Sequence, residues 1–140
     1  MQATVAGERI FEITTALGEG ALAVHRFQAR QGLGRLTEIE LELLSPRNDL
    51  AFDKILGTSA TVKLETASGT ARPFNGYVTR FSHTGFMTGR QHQYRASLRT
   101  WPWFLTRAAD CRIFQNQSVP EILKEIFKKY SDSKLEDKLT

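Results

Sequence analysis

Three histidines, His25, His83 and His92, and one cysteine, Cys111, are the side chains of this 140-residue chain best suited to metal binding or nucleophilic catalysis. Their spacing argues against both. No two histidines stand at the i, i+4 interval of a helix-borne zinc site, and Cys111 has no second cysteine. The histidines therefore read as ordinary surface or strand residues. Cys111 follows Asp110, whose charge opposes a thiolate, so an inert thiol is expected. Gly32-Leu33-Gly34 does not extend to GxGxxG and no Walker lysine follows, which excludes a phosphate loop. Ser118 and Glu121 have capping-box spacing and read as a helix start. The sequence thus predicts no catalytic residue, no cofactor and no metal site.

Two charged patterns invite a binding function instead. Glu38, Glu40 and Glu42 alternate with Ile39, Leu41 and Leu43, so on a strand the acids share one face. A solvated face is the expectation; if that face lined a tube, the acids would set its wall charge. Between residues 72 and 112, Tyr77, Phe81, Tyr94 and Trp101 could stack nucleobases while Arg80, Arg95 and Arg99 hold phosphates. Strand alternation opposes that arrangement, because it puts Tyr94 and Arg95, and likewise Phe81 and Arg80, on opposite faces. Core aromatics with outward arginines are favoured over a nucleic-acid platform.

The elements that must position these residues follow from periodicity and punctuation. Strands are expected over 9–14, 23–29, 36–44, 61–65, 72–81 and 93–98, each with apolar residues at alternate positions or turn residues at its ends. Asn48 or Asp49 is expected to cap a short helix running to Leu56, near 49–56, with Gly57 ending it. Ala67-Ser68-Gly69 reads as a hairpin turn, and the Gly85–Gly89 segment as the next reversal. Pro102, inside Trp101-Pro102-Trp103-Phe104-Leu105, should end the sheet ladder in an aromatic corner. Beyond it Val119, Ile122, Leu123, Ile126, Phe127 and Tyr130 form a stripe at helical spacing, near 119–130. Closely spaced strands with added helices suggest an antiparallel barrel or sandwich. The chain should therefore be mainly β with minor α.

Composition bounds the class. With 41% hydrophobic and 24% charged residues, the chain can build one ordinary core, and an ordered fold is expected. The net charge of +4 comes from bases spread along the chain and reads as solvated surface. No apolar run approaches the roughly 20 residues of a membrane helix. The N-terminus lacks the basic-then-apolar pattern of a cleaved signal, and a lone cysteine suits assembly in a reducing cytoplasm.

The run WPWFLTRAADCRIFQNQSVPEILKEIF resembles the N-terminal region of the valine–glycine repeat protein G (VgrG) family, the spike proteins of type VI secretion systems, itself similar to the baseplate hub of contractile-tailed phages. FNGYVTRF, GRLTEIELELLS and LAFDKILG fall in the same family order, so the resemblance covers nearly the whole chain. It chooses the barrel: residues 1–140 would be a hub-like, tube-forming β-barrel domain, excerpted from a longer protein whose needle is absent here. It implies a non-enzymatic structural part that forms a homotrimer, caps a hexameric tube protein, and carries effectors or their adaptors. Assembly would be cytoplasmic, followed by export through the machine, without membrane insertion by this region. Trp101, Trp103, Arg95 and Arg99 are the residues expected at subunit contacts. The resemblance fits a secretion spike and a phage tail hub alike, and a small single-strand nucleic-acid-binding barrel is the alternative.

Overall fold

The computed structural model describes residues 11–66, 69–87 and 90–130, and the chain parts into two compact units between Thr100 and Trp101. Arg9 and Ile10 of the expected first strand, Ala67 and Ser68 of the hairpin turn, and Gly89 lie outside the described residues.

The first unit is one antiparallel sheet. Its strands are β1 (Phe11–Thr14), β2 (Ala23–Arg30), β3 (Glu38–Ser45), β4 (Ser59–Glu65), β5 (Ala71–Met87) and β6 (Gln91–Arg99). They lie in the order β1-β4-β5-β6-β3-β2, so the first two strands in sequence occupy the two edges. Those edges approach through side chains: the Phe11 and Phe27 rings are 5.7 Å apart, and Phe27 reaches Phe74 at 4.8 Å. The sheet is thereby curled into a half-barrel, as expected for a mainly β hub-like fold.

Alternation decides what fills the curl. On β3, Ile39, Leu41 and Leu43 are each 1% exposed, while Glu38, Glu40 and Glu42 point to the other side. Register sets Leu41 between Phe27 of β2 and Ala96 of β6. Tyr94, Ala96 and Leu98 of β6, with Val78 and Phe81 of β5, complete the same inner face. Burying each such aliphatic side chain contributes about 1.5–3 kcal/mol.

Several expected boundaries shift, and two do so with a visible cause. The short helix, α1, is a single turn (Phe52–Ile55) whose N-cap, Ala51, makes no side-chain cap. Neither Asn48 nor Asp49 caps it, and the Asp49 carboxylate is held by the Arg47 guanidinium at 2.9 Å. Buried Ile55 anchors the turn, and Gly57, at φ +74°, ends it and donates its N–H to the Val78 carbonyl. The second shift is in β5, which runs on past Phe81 to Met87 instead of turning at Gly85. Register slips by one residue between His83 and Gly85, and Gly85 takes φ +139°, so the glycine absorbs a bulge and the strand continues. Gly76 has a different role: a Cβ there would stand 3.1 Å from the Arg99 carbonyl oxygen and from Leu98 Cβ, so its missing side chain lets β5 lie close against β6.

In the second unit the aromatic corner is a 3-10 helix (Trp101–Arg107), followed by a loop and α2 (Val119–Phe127). The Ser118–Glu121 capping box forms, with Glu121 Oε2 accepting from the Ser118 backbone N–H and hydroxyl, each at 2.7 Å. Trp101 meets the α2 stripe edge-on, 4.9 Å from the Phe127 ring, and lies 6.2 Å from Tyr130. Val119 and Leu123 of the same stripe remain exposed.

Candidate functional site

The outer face of β2, β3 and β6 carries a ladder of alternating charge. Because the strands are antiparallel neighbours, Glu42 stands opposite Arg26 on one side and Arg95 on the other. Its carboxylate lies 3.9 Å from Arg26 and 3.6 Å from Arg95. Four residues further along β6, Arg99 sits between Glu38 at 3.9 Å and Glu40 at 3.0 Å. The second Glu40 oxygen accepts the Ser97 hydroxyl at 2.7 Å. Arg26, Gln28, Glu40, Glu42 and Arg95 line a shallow open depression on this face.

Exposed pairs of this kind contribute little stability each, about 0–1 kcal/mol. Arg99 is the exception in environment, its side chain only 18% exposed, so its charge is oriented and partly desolvated. The acids expected on a solvated face are therefore only half solvated: Glu40 and Glu42 are intermediate in exposure and tied to arginines. What such a face can do is present fixed charges of both signs to a complementary surface. Nothing in it activates a nucleophile or a proton donor.

Of the residues expected at subunit contacts, Arg95 and Arg99 belong to this ladder. Arg95 is more than half exposed and pairs with Glu42 at 3.6 Å, whereas Arg99 is committed to two acids. Trp101 and Trp103 lie in the second unit and are half-buried there. Trp101 packs on α2, while Trp103 carries the Arg107 guanidinium over its ring at 4.4 Å.

Two of the aromatics considered for base stacking, Phe81 and Tyr94, are turned into the core. Phe81 and Tyr94 are buried and stacked on each other, centroids 5.3 Å apart and 13° from parallel, and Arg80 and Arg95 point away from them. The Tyr94 hydroxyl donates to the Arg47 carbonyl at 2.8 Å, and burial, with the Asp49 charge, pushes its ionisation upward against the smaller opposing pull of Arg47. Cys111 is exposed, but Asp110 does not bear on it as a free charge. Arg112, at 2.6 Å, and Lys129, at 3.8 Å, neutralise Asp110, and the Arg112 hydrogen bond holds its carboxyl below the ordinary 3.8.

One pairing escaped the sequence reading. His83 and His92, nine residues apart, meet across β5 and β6 with ring nitrogens 3.2 Å apart. A β5 extended to Met87 would have signalled it, because the hairpin then brings the two together. Among the described residues no group of three or more His, Cys, Asp or Glu side chains is placed to hold a metal ion.

Against known proteins, the family model of the phage tail baseplate hub (GPD) matches residues 30–140, from the end of β2 onward. The chain belongs to the phage tail baseplate hub family. Within it, this hub-family chain is 43% identical over 132 residues to the type VI secretion system spike protein VgrG1a of Pseudomonas aeruginosa, a match covering 94% of the chain and 20% of that relative. VgrG1b of the same organism is 42% identical over 94% of the chain and 18% of its own length. The chain thus spans about a fifth of the curated relatives it matches. The fold is shared with the E. coli c3393 protein, a component of the type VI secretion system with structural similarity to the T4 bacteriophage tail proteins gp27 and gp5. That superposition has a TM-score of 0.73 at 20% identity, covering 88% of this hub-family chain and 33% of the other.

Proposed function

We propose that this chain is the hub-like sheet domain at the base of a type VI secretion spike, a structural component of a contractile injection machine. The reading rests on one observation, 43% identity to a spike protein across 94% of the chain. In this role the work is mechanical. The half-barrel supplies a stiff wall, its outer charge ladder and the Trp101–Trp103 corner supply contacts between subunits of a homotrimer, and the trimer seats on a hexameric tube. Arg95 and Trp103 are the better contact residues on this reading, because Arg99 and Trp101 are more engaged within the chain. Effectors or their adaptors would be carried by parts of the parent protein beyond this chain, with no turnover by these residues. On this reading assembly is cytoplasmic and is followed by export through the machine; among the described residues no helix is long and apolar enough to cross a membrane.

A chimera tests the proposal. Residues 1–140 replace the matching N-terminal part of VgrG1a in Pseudomonas aeruginosa, and appearance of the spike and tube proteins in the culture medium is measured. Restored export supports the role. A stable, soluble chimera that blocks export refutes it. A salt-dependent gel shift with single-stranded oligonucleotides should show no binding; tight binding that weakens steeply with salt would instead support a nucleic-acid module.

A further inference from the structure

His83 and His92 are brought together by the fold and lie outside the contacts proposed above. His83 lies just before the β5 bulge, opposite Tyr94, and His92 lies near the start of β6, opposite Phe86. The rings are tilted by 41°, with His83 Nε2 3.2 Å from His92 Nδ1. His92 is only 9% exposed, whereas His83 is exposed. Phe86 walls the pair, 4.6 Å from His92 and 5.9 Å from His83, and Tyr94 lies 5.0 Å from His83.

Between neutral imidazoles this separation is a hydrogen bond, in which one nitrogen carries the hydrogen and the other the lone pair. It is also the bite of a tetrahedral cation: metal–nitrogen bonds of about 2.0–2.1 Å at the tetrahedral angle hold the two nitrogens about 3.3 Å apart. We propose that His83 and His92 form a two-imidazole site for a borderline divalent cation of the zinc or nickel class. To bind, the ring holding the shared hydrogen moves to its other tautomer, with no net proton release. Both lone pairs are then free, and turning both rings off the line that joins the two nitrogens converges the lone pairs on the ion. Imidazole nitrogen suits these metals better than it suits magnesium or calcium, which prefer oxygen. With no third protein ligand among the described residues, water fills the remaining positions, and the bound ion pins β5 to β6 beside the bulge.

The test is isothermal titration of tag-free 140-residue chain with zinc chloride and with nickel chloride, in a Cys111→Ser background so that the exposed thiol contributes nothing. One equivalent should bind per chain. His83→Gln, at an exposed position that leaves the core intact, should weaken binding by about tenfold or more. His25→Gln should leave it unchanged. His92→Gln should abolish it and is read only if circular dichroism shows the sheet retained. Absence of saturable binding in the Cys111→Ser chain, or binding undiminished by His83→Gln, would reduce the pair to a packing hydrogen bond.

Discussion

Leu41 and Glu40 are adjacent on β3 and face opposite sides of the curled sheet, so substituting each in turn measures what the curl contributes. Leu41 is 1% exposed and lies in register between Phe27 and Ala96. Leu41→Ala loses the transfer free energy of the deleted atoms and leaves a cavity, a cost of about 2–5 kcal/mol in general. Here both flanking strands are fixed by ladders, which limits collapse of the site, so about 3–4 kcal/mol is expected. For a unit near 100 residues, each kcal/mol moves the melting point by about 4–8 °C, giving a fall of about 12–32 °C. Glu40→Gln keeps an oxygen for the Ser97 hydroxyl but removes the charge facing Arg99. The Glu40 side chain is 42% exposed, so screening limits that loss to about 1 kcal/mol or less. Urea and thermal unfolding followed by far-ultraviolet circular dichroism read the sheet. Tryptophan fluorescence reads the other unit separately, because Trp101 and Trp103 both lie there. Equal losses from the two substitutions, or a Leu41→Ala cost below about 1 kcal/mol, would mean that β3 does not present its leucines to the core.

Other positions give sharper single readouts. Gly76→Val should destabilise the sheet by about 1–3 kcal/mol through collision with Arg99 and Leu98, measured by the same urea titration; a neutral result would contradict the close approach of β5 to β6. Hydrogen bonds from Ser118 hold the Glu121 carboxyl below its ordinary 4.5, so the cap is fully stabilising above that value and is lost as pH falls through the depressed folded value. Helical signal should therefore drop more in wild type than in Glu121→Gln between about pH 5 and pH 3, and parallel profiles would refute the cap's contribution. The 140-residue chain should run as a monomer, or with a mass that drifts with concentration, in size exclusion with light scattering at tens of micromolar. Stable association generally buries at least about 1,200 Å², and most of the sheet's inner apolar face is already used within the chain. A sharp, dilution-resistant trimer would place the main assembly contacts in these residues.

The parts legible in the sequence are those fixed by local chemistry. The period of two in residues 38–45 and 94–98 gave the inner face, and the spacing of Ser118 and Glu121 gave the start of α2. The family words carried the fold class and the curled sheet with them. What stayed hidden depends on register and competition. Asp49 looked like a cap until Arg47, two residues away, claimed its carboxylate. Gly85 looked like a turn because a glycine that absorbs a bulge and one that reverses the chain are the same letter. That misreading shortened β5 and concealed the meeting of His83 with His92. The Glu–Arg ladder was half visible: alternation put the acids on one face, but only the β2–β3–β6 register set Arg26, Arg95 and Arg99 against them.

The unusual length of β5 has a consequence for force. Its first part, Ala71–Tyr77, is laddered to β4, and its second, Tyr77–Met87, to β6, so one 17-residue strand splices two hairpins end to end. At about 3.3 Å per residue its contour is roughly 50–55 Å. A push along that axis loads many ladder bonds in parallel and in shear, so none fails before its neighbours share the strain. A pull across the axis would open them one at a time, like a zipper. A wall built this way is stiff along β5 and weak across it, so the sheet carries a load best when the load runs along that strand.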